Sequence, residues 1–455
     1  MKAFQRAAFV CVAVLVSVYA TRVDAQGSTN PEDHYHYLHV EVEHPNPDAA
    51  YPDGPDRDNA YMNDGVEAPD EGDEIVVEGE APLGEGPSAE EVDPDDTVPV
   101  ATFDLSGWLW FNYSIQPWRD TTLGRYGNFE WNQLQLSGSA SFGNFSMRFE
   151  IRFFSFMLIV RQAWLQYAWK DNQIRLGQIN VPWGRHVFSS HSWWFTLGWY
   201  ATVEDDYDYG ISYSKDTDNY RVDVGYYFRD PVGLLEPTSR WDSDLTPLGE
   251  QQNREVSSAA IRGIYKLPHR PGLYSELGVV AQAGLLPNVA TGERGYRWLA
   301  MFMYNGNYDG WEPLFQVTRH EFRPNNPAEI DGVPVDDRVV RISQFGGYRD
   351  VAAKYTLFNF NLAKTIPFGR KYFQGLVPYA EYSLFLKDAA AFPTSHLITA
   401  GLQVHLGQVW VWFDFLMGRN ATYLNDSFAS SALASGAARP GRFEYQPNIQ
   451  IQYYF

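Results

Sequence analysis

Across residues 145–153 the side chains of Ser146, Arg148, Glu150 and Arg152 alternate with Phe145, Met147, Phe149, Ile151 and Phe153. A charge at every second position, opposite unbroken apolar residues, suits the handling of ions on one face of a wall. The same phase of later segments carries Arg175, Arg221, Asp223, Arg262 and Arg297, together with Glu276, Glu381 and Asp414. These arginines suit a ladder that holds anionic solutes through forked donors. Interleaved with carboxylates, they equally suit a salt-bridged, hydrated surface. A second concentration lies in 185–204, where His186, His191, Trp193, Trp194, Trp199 and Tyr200 offer either a stacking surface for sugars or arenes or a seal against neighbouring protein. A third is His34, His36, His39 and His44 among carboxylates near the start, a ligand set for zinc, nickel or copper but equally an ordinary polar stretch. The remaining histidines, His269, His320, His396 and His405, fall in no nucleophile motif, and no cofactor motif occurs, so an enzyme is not expected.

The elements that position these groups are strands. In 102–115 the apolar phase is Phe103, Leu105, Leu109, Phe111, Tyr113 and Ile115, opposite Asp104, Ser106, Asn112 and Ser114, although Trp108 and Trp110 share the polar phase. The last fourteen residues, 442–455, are the longest clean case: Phe443, Tyr445, Ile449, Ile451, Tyr453 and Phe455 against Glu444, Gln446, Asn448, Gln450 and Gln452. A strand of about ten residues, tilted, crosses a bilayer. No run of apolar residues in the body is long enough for a membrane helix. Short turns near 143–144, 170–172, 215–219, 267–272, 305–310 and 407 alternate with longer connections near 116–125, 182–206, 230–254, 285–294, 322–349 and 418–441. That alternation is what a membrane barrel with both termini on one side produces, and the count comes to about sixteen strands. The expected fold is therefore all-β: a transmembrane antiparallel β-barrel over 101–455, its last strand pairing with its first to remove the sheet edge. Two connections fit less well, 154–158 being short for an outer loop and 364–374 long for a turn.

Ahead of the body, residues 1–25 have the form of a secretory signal peptide: Lys2 and Arg6, an apolar core from Ala7 to Ala20, and a small-residue cleavage site at Val23-Asp24-Ala25. The one cysteine, Cys11, lies inside it, so the exported chain has no disulfide or thiol chemistry. Residues 26–100 read as a disordered acidic tail, with 22 carboxylates against one cation, Arg57, between Pro31 and Pro99. This stretch accounts for the net charge of -21, since the body from Val100 is close to neutral with 24 Arg and 7 Lys. Such a balance offers no nucleic-acid surface and no general attraction for anions.

Arg175-Leu176-Gly177-Gln178-Ile179-Asn180-Val181-Pro182-Trp183-Gly184 resembles the strand end and Pro-aromatic-Gly turn of the phosphate-selective porin O/P family. Phe103 to Trp108, Ala400 to Val404 and Gly418-Arg419-Asn420 are similar to it as well. The resemblance implies an outer-membrane porin in contact with lipid, a water-filled channel for passive diffusion of small hydrophilic solutes, and commonly a homotrimer. It implies that the third outer loop, 185–204, folds inward as a constriction. It implies too that the assembly machinery of the outer membrane reads the closing strand through Ile451, Tyr453 and Phe455. Phosphate-selecting members use a lysine cluster and an arginine ladder; the seven scattered lysines here form no such cluster. In the tail, Asp73-Glu74-Ile75-Val76-Val77-Glu78-Gly79 is similar to a TonB box, with Ile75, Val76 and Val77 at its centre, and would give the tail a periplasmic partner by strand addition. A plugless barrel with a TonB-contacting or metal-binding tail, and a barrel with an adhesive or structural role, are the alternatives.

Overall fold

The computed structural model describes residues 101–119, 126–185, 188–231, 239–267, 273–424, 431–436 and 441–455. The expectations placed on the signal segment, the acidic tail, His34, His36, His39, His44, Ile75, Val76, Val77 and His186 lie outside the described residues.

Alternating polarity becomes sixteen antiparallel strands, each hydrogen-bonded to the next: β1 Thr102–Ser114, β2 Asn128–Phe142, β3 Phe145–Phe154, β4 Leu158–Trp169, β5 Asn172–Asn180, β6 Tyr207–Asp216, β7 Tyr220–Arg229 and β8 Val256–Leu267. The second half is β9 Leu273–Pro287, β10 Arg294–Tyr308, β11 Trp311–Arg323, β12 Lys354–Lys364 running on as Ile366–Arg370, β13 Phe373–Lys387, β14 Ser395–Leu406, β15 Val409–Arg419 and β16 Glu444–Tyr454. β16 also pairs with β1, from Trp108↔Tyr454 to Ser114↔Asn448, and Phe455 exchanges two further backbone bonds with Gly107 at 2.9 and 3.0 Å. The sheet therefore closes, and no strand edge is left to aggregate.

The outer face carries Leu105, Phe145, Leu165, Leu176, Val279, Phe360 and Phe413, all exposed, while the alternate positions Gln133, Glu150, Arg262, Gln316, Gln403 and Gln450 are withdrawn from solvent inside. An apolar exterior over a polar interior is the inverse of a soluble protein and matches a wall between lipid and water. The closing strand obeys it: Tyr445, Ile451, Tyr453 and Phe455 face out, and Glu444, Gln446, Asn448, Gln450 and Gln452 face in.

Short turns gather at one end of the barrel and long connections at the other. The 364–374 connection, read as a long turn, is mostly strand: Ile366 and Pro367 pair with Leu376 and Gly375, leaving a two-residue turn at Lys371-Tyr372. Pro367 lacks an N–H, and the ladder shifts register between it and Arg370, which broke the sequence pattern. The 154–158 connection is indeed short, spanning 155–157.

Three of the long connections turn inward. Residues 188–206 of the connection after β5 cross the interior, and a hairpin of Val339–Gln344 with Gly347–Ala352, from the connection after β11, pairs with Asp244–Leu245 of the connection after β7. Together they place an apolar core inside the barrel, in which Phe195 lies 4.4 Å from Trp199, and Trp199 lies 5.4 Å from Trp241 and 5.6 Å from Phe345.

Candidate functional site

The inward loop leaves β5 through Val181-Pro182-Trp183, all buried. Gly184 turns with φ +50, and a Cβ there would stand 2.5 Å from Gln316 Oε1 of β11, so the backbone must come that close. Its carbonyl accepts from Arg262 Nη1 at 3.1 Å, and Ser189 Oγ donates to Gln316 Oε1 at 2.8 Å.

Beyond this anchor the loop reaches the far wall. Glu381 of β13 accepts from Ser190 Oγ at 2.7 Å, from the backbone N–H of His191, from that of Ser192 at 3.2 Å, and from Asn361 Nδ2 of β12 at 2.8 Å. His191 has Nδ1 3.0 Å from Asn361 Oδ1 and Nε2 3.3 Å from Glu312 Oε2, while its carbonyl accepts from Gln403 Nε2 of β14 at 2.8 Å. Trp193 packs among Trp108 and Trp110 of β1 and Trp412 of β15, at 5.5, 5.1 and 5.6 Å. Trp194 meets Tyr423 edge-on at 5.2 Å. A loop that starts between β5 and β6 thus hydrogen-bonds to β11, β12, β13 and β14 and packs its rings on β15 and β1. Its aromatics border a cavity of about 440 Å³, shared with Trp110, Asn112, Asn128, Glu130 and Gln450.

The return limb is held by charge. Glu204 Oε1 accepts from Thr196 Oγ1 at 2.5 Å and from Asn359 Nδ2 of β12 at 3.0 Å; burial nonetheless pushes the Glu204 carboxyl up to about 8. Arg161 of β4 bridges the wall and the loop, with Nη1 2.9 Å from Glu150 Oε2 and Nη2 2.5 Å from Asp205 Oδ1. Burial raises the Asp205 carboxyl against the pull of Arg161 and Arg152, and Trp241 Nε1 supplies a further donor at 2.5 Å. Next to it, burial raises Asp206 and Asp242 well above the usual carboxylate range, Asp244 to about 6 and Glu255 to about 8, each with neighbouring carboxylates adding to the effect.

Of the charged residues singled out from the sequence, Glu150, Arg152, Arg221, Asp223, Arg262 and Arg297 fall into separate ion-paired groups. Glu150 accepts from Arg152 Nε at 2.6 Å and from Gln162 at 3.0 Å, in addition to Arg161, and Arg148 is half-buried nearby. Asp223 accepts from Arg262 at 2.8 Å and from Arg221 at 3.1 Å. Arg297 pairs at 2.5 Å with Glu255, at the end of the long connection between β7 and β8. Half-buried Arg175, bonded to Gln166 at 2.7 Å, and Arg221 line a cavity of about 620 Å³ at the short-turn end with Lys170, Asp216 and Lys266. Glu276 receives only a 3.4 Å contact from Asn305, Asp414 accepts from Tyr379 Oη, and His405 stacks on Trp410 at 3.8 Å.

Arg161 escaped sequence reasoning for a physical reason. The β3–β4 ladder slips between Glu150 and Ile151, so Arg161 is the extra residue of a bulge, and consecutive Arg161 and Gln162 are both buried inward. A two-residue period does not find such a site. The acidic residues Asp206, Asp208, Asp242 and Asp244 were also passed over, although Asp205-Asp206-Tyr207-Asp208 and Asp242-Ser243-Asp244 are visible as paired carboxylates in the sequence.

No protein-family model and no curated protein matches the chain. Among solved structures it is similar to the outer membrane channel DcaP of Acinetobacter baumannii, with TM-score 0.50, 10% identity, and 78% of this chain and 97% of that one covered. It is similar to the same extent to OmpF of Salmonella typhi in complex with daunomycin, with TM-score 0.50, 11% identity, and 78% and 97% covered. At these identities the likeness is one of fold, a closed antiparallel β-barrel.

Proposed function

We propose that this chain is an outer-membrane porin, a homotrimer as its resemblance to the phosphate-selective family implies, through which small hydrophilic solutes diffuse past the inward loop. One observation carries the reading: residues 188–206 of the loop after β5 reach across the barrel to the inward faces of β13, β14 and β15, by hydrogen bonds from Ser190 to Glu381 and from Gln403 to His191 and by packing of Trp193 on Trp412. A closed barrel with apolar exterior and polar interior needs no such loop to be stable, whereas a channel needs a constriction. His191, Trp193 and Trp194 set that constriction, and Arg148, Arg175 and Arg221 border the path toward the short-turn end. Because Arg152, Arg221, Arg262 and Arg297 are each matched to a carboxylate, the wall is charge-balanced, and we infer selection by size ahead of selection for phosphate or other anions.

Reconstitution into planar bilayers under a salt gradient tests this. Discrete current steps with a small reversal potential, similar for phosphate and chloride, support the proposal, and a strong phosphate preference would replace its selectivity clause. The apolar core of Phe195, Trp199, Trp241 and Phe345 inside the barrel favours a second reading, a non-conducting structural or adhesive barrel. Insertion without current would establish that one instead.

A further inference from the structure

Asp206 ends the inward loop, Asp208 is the second residue of β6, and Asp242 and Asp244 lie on the long connection after β7. One carboxylate oxygen from each of Asp206, Asp208 and Asp244 lies within 4.8 Å of the others. All three residues are at most 3% exposed. Among the described residues neither oxygen of Asp206, nor Oδ1 of Asp208 or of Asp242, has a hydrogen-bond donor. Arg240 is 3.2 Å from Asp244 but spends its closer contact, 2.8 Å, on Asp230, and Arg297 is taken by Glu255 at 2.5 Å. Asp242 Oδ2 accepts from the Tyr207 backbone N–H at 2.8 Å. Buried carboxylate oxygens without donors are costly, and a bound metal ion lowers that cost.

We propose that Asp206, Asp208 and Asp244 form a calcium site that ties the end of the inward loop to the 230–255 connection. The donor set is all oxygen, without imidazole or thiolate, which selects hard cations over zinc or copper. Calcium–oxygen distances of about 2.4 Å let ligands on opposite sides of the ion stand up to roughly 4.8 Å apart, so oxygens that all lie within 4.8 Å of one another can share one such ion, and calcium tolerates the irregular geometry of loop ligands better than magnesium does. The unpartnered Oδ1 of Asp242 and solvent would complete the coordination.

The test uses the full chain, refolded in detergent, freed of metal with a chelator and titrated with calcium and, separately, with terbium excited selectively through tryptophan. Residues 26–100 hold many carboxylates but no tryptophan, so sensitised emission reports on the barrel, where Trp241 adjoins Asp242. The expected result is sensitised terbium emission displaced by calcium with Kd below about 1 mM, and at least a tenfold loss in Asp206→Asn/Asp208→Asn but not in Asp216→Asn. Wild-type protein that shows no calcium-displaceable emission, or a double variant that binds as wild type does, would overturn the site. If the double variant does not fold, the wild-type titration decides alone, because carboxylates that merely hold protons give no sensitised signal.

Discussion

Arg161→Met removes the guanidinium that joins the barrel wall to the return limb of the inward loop while keeping most of the side chain's length and apolar contact. In the folded protein that guanidinium touches Glu150 at 2.9 Å and Asp205 at 2.5 Å, and lies 4.7 Å over the ring of Tyr207. Glu150 keeps Arg152 and Gln162, so its loss is partial. Asp205 keeps only the Trp241 indole among the contacts described above. Breaking one partner out of a buried ion pair costs about 3 to 5 kcal/mol, and the surviving contacts put this case near the low end, about 3 kcal/mol. At 1.4 kcal/mol per power of ten, the ratio of docked to released loop should fall about a hundredfold. The strands themselves are not touched, so the barrel should still form and migrate as a heat-modifiable band. Single-channel recordings should then show larger or flickering steps, and limited proteolysis should cut within 188–206. A variant that inserts and yet gives wild-type steps and wild-type protease resistance would refute the idea that this ion pair holds the loop.

Closure and permeation can be separated at the β1–β16 seam. A side chain at Gly107 would place Cβ 2.3 Å from Gln135 O and 2.8 Å from the Phe455 ring, so Gly107→Val, like deletion of Phe455 with its two backbone bonds, should lower the yield of heat-modifiable barrel several-fold. Unchanged assembly of both variants would remove the seam from the folding argument. Gln450→Arg, on the inward face and bordering the 440 Å³ cavity, should leave assembly intact and shift the reversal potential toward anions. An unaltered reversal potential would place Gln450 away from the ion path.

Strand number and closure were legible because a wall between lipid and water forces polarity to repeat every second residue, as Asn448 to Tyr453 does without interruption. The reading failed where the period itself fails: at Pro367, where a strand looked like a turn, and at the Arg161 bulge, where two successive residues face inward. The inward course of 181–206 came from a family resemblance and not from periodicity. The partners that hold the loop, Gln316, Asn361, Glu381 and Gln403, could not be named from sequence, since each lies more than a hundred residues away along the chain. The burial of the carboxylates was hidden for a related reason. Asp206 and Asp244 look like ordinary loop acids until the fold withdraws them from water.

The central claim is that the chain conducts and that its inward loop sets the aperture. Single-channel conductance in planar bilayers, compared between the intact chain and one lacking residues 191–199, tests it most directly. Discrete steps are expected from the intact chain and larger ones from the shortened chain, because Trp193, Phe195 and Trp199 leave the interior. Silent insertion of the intact chain, or equal steps from both, would contradict it.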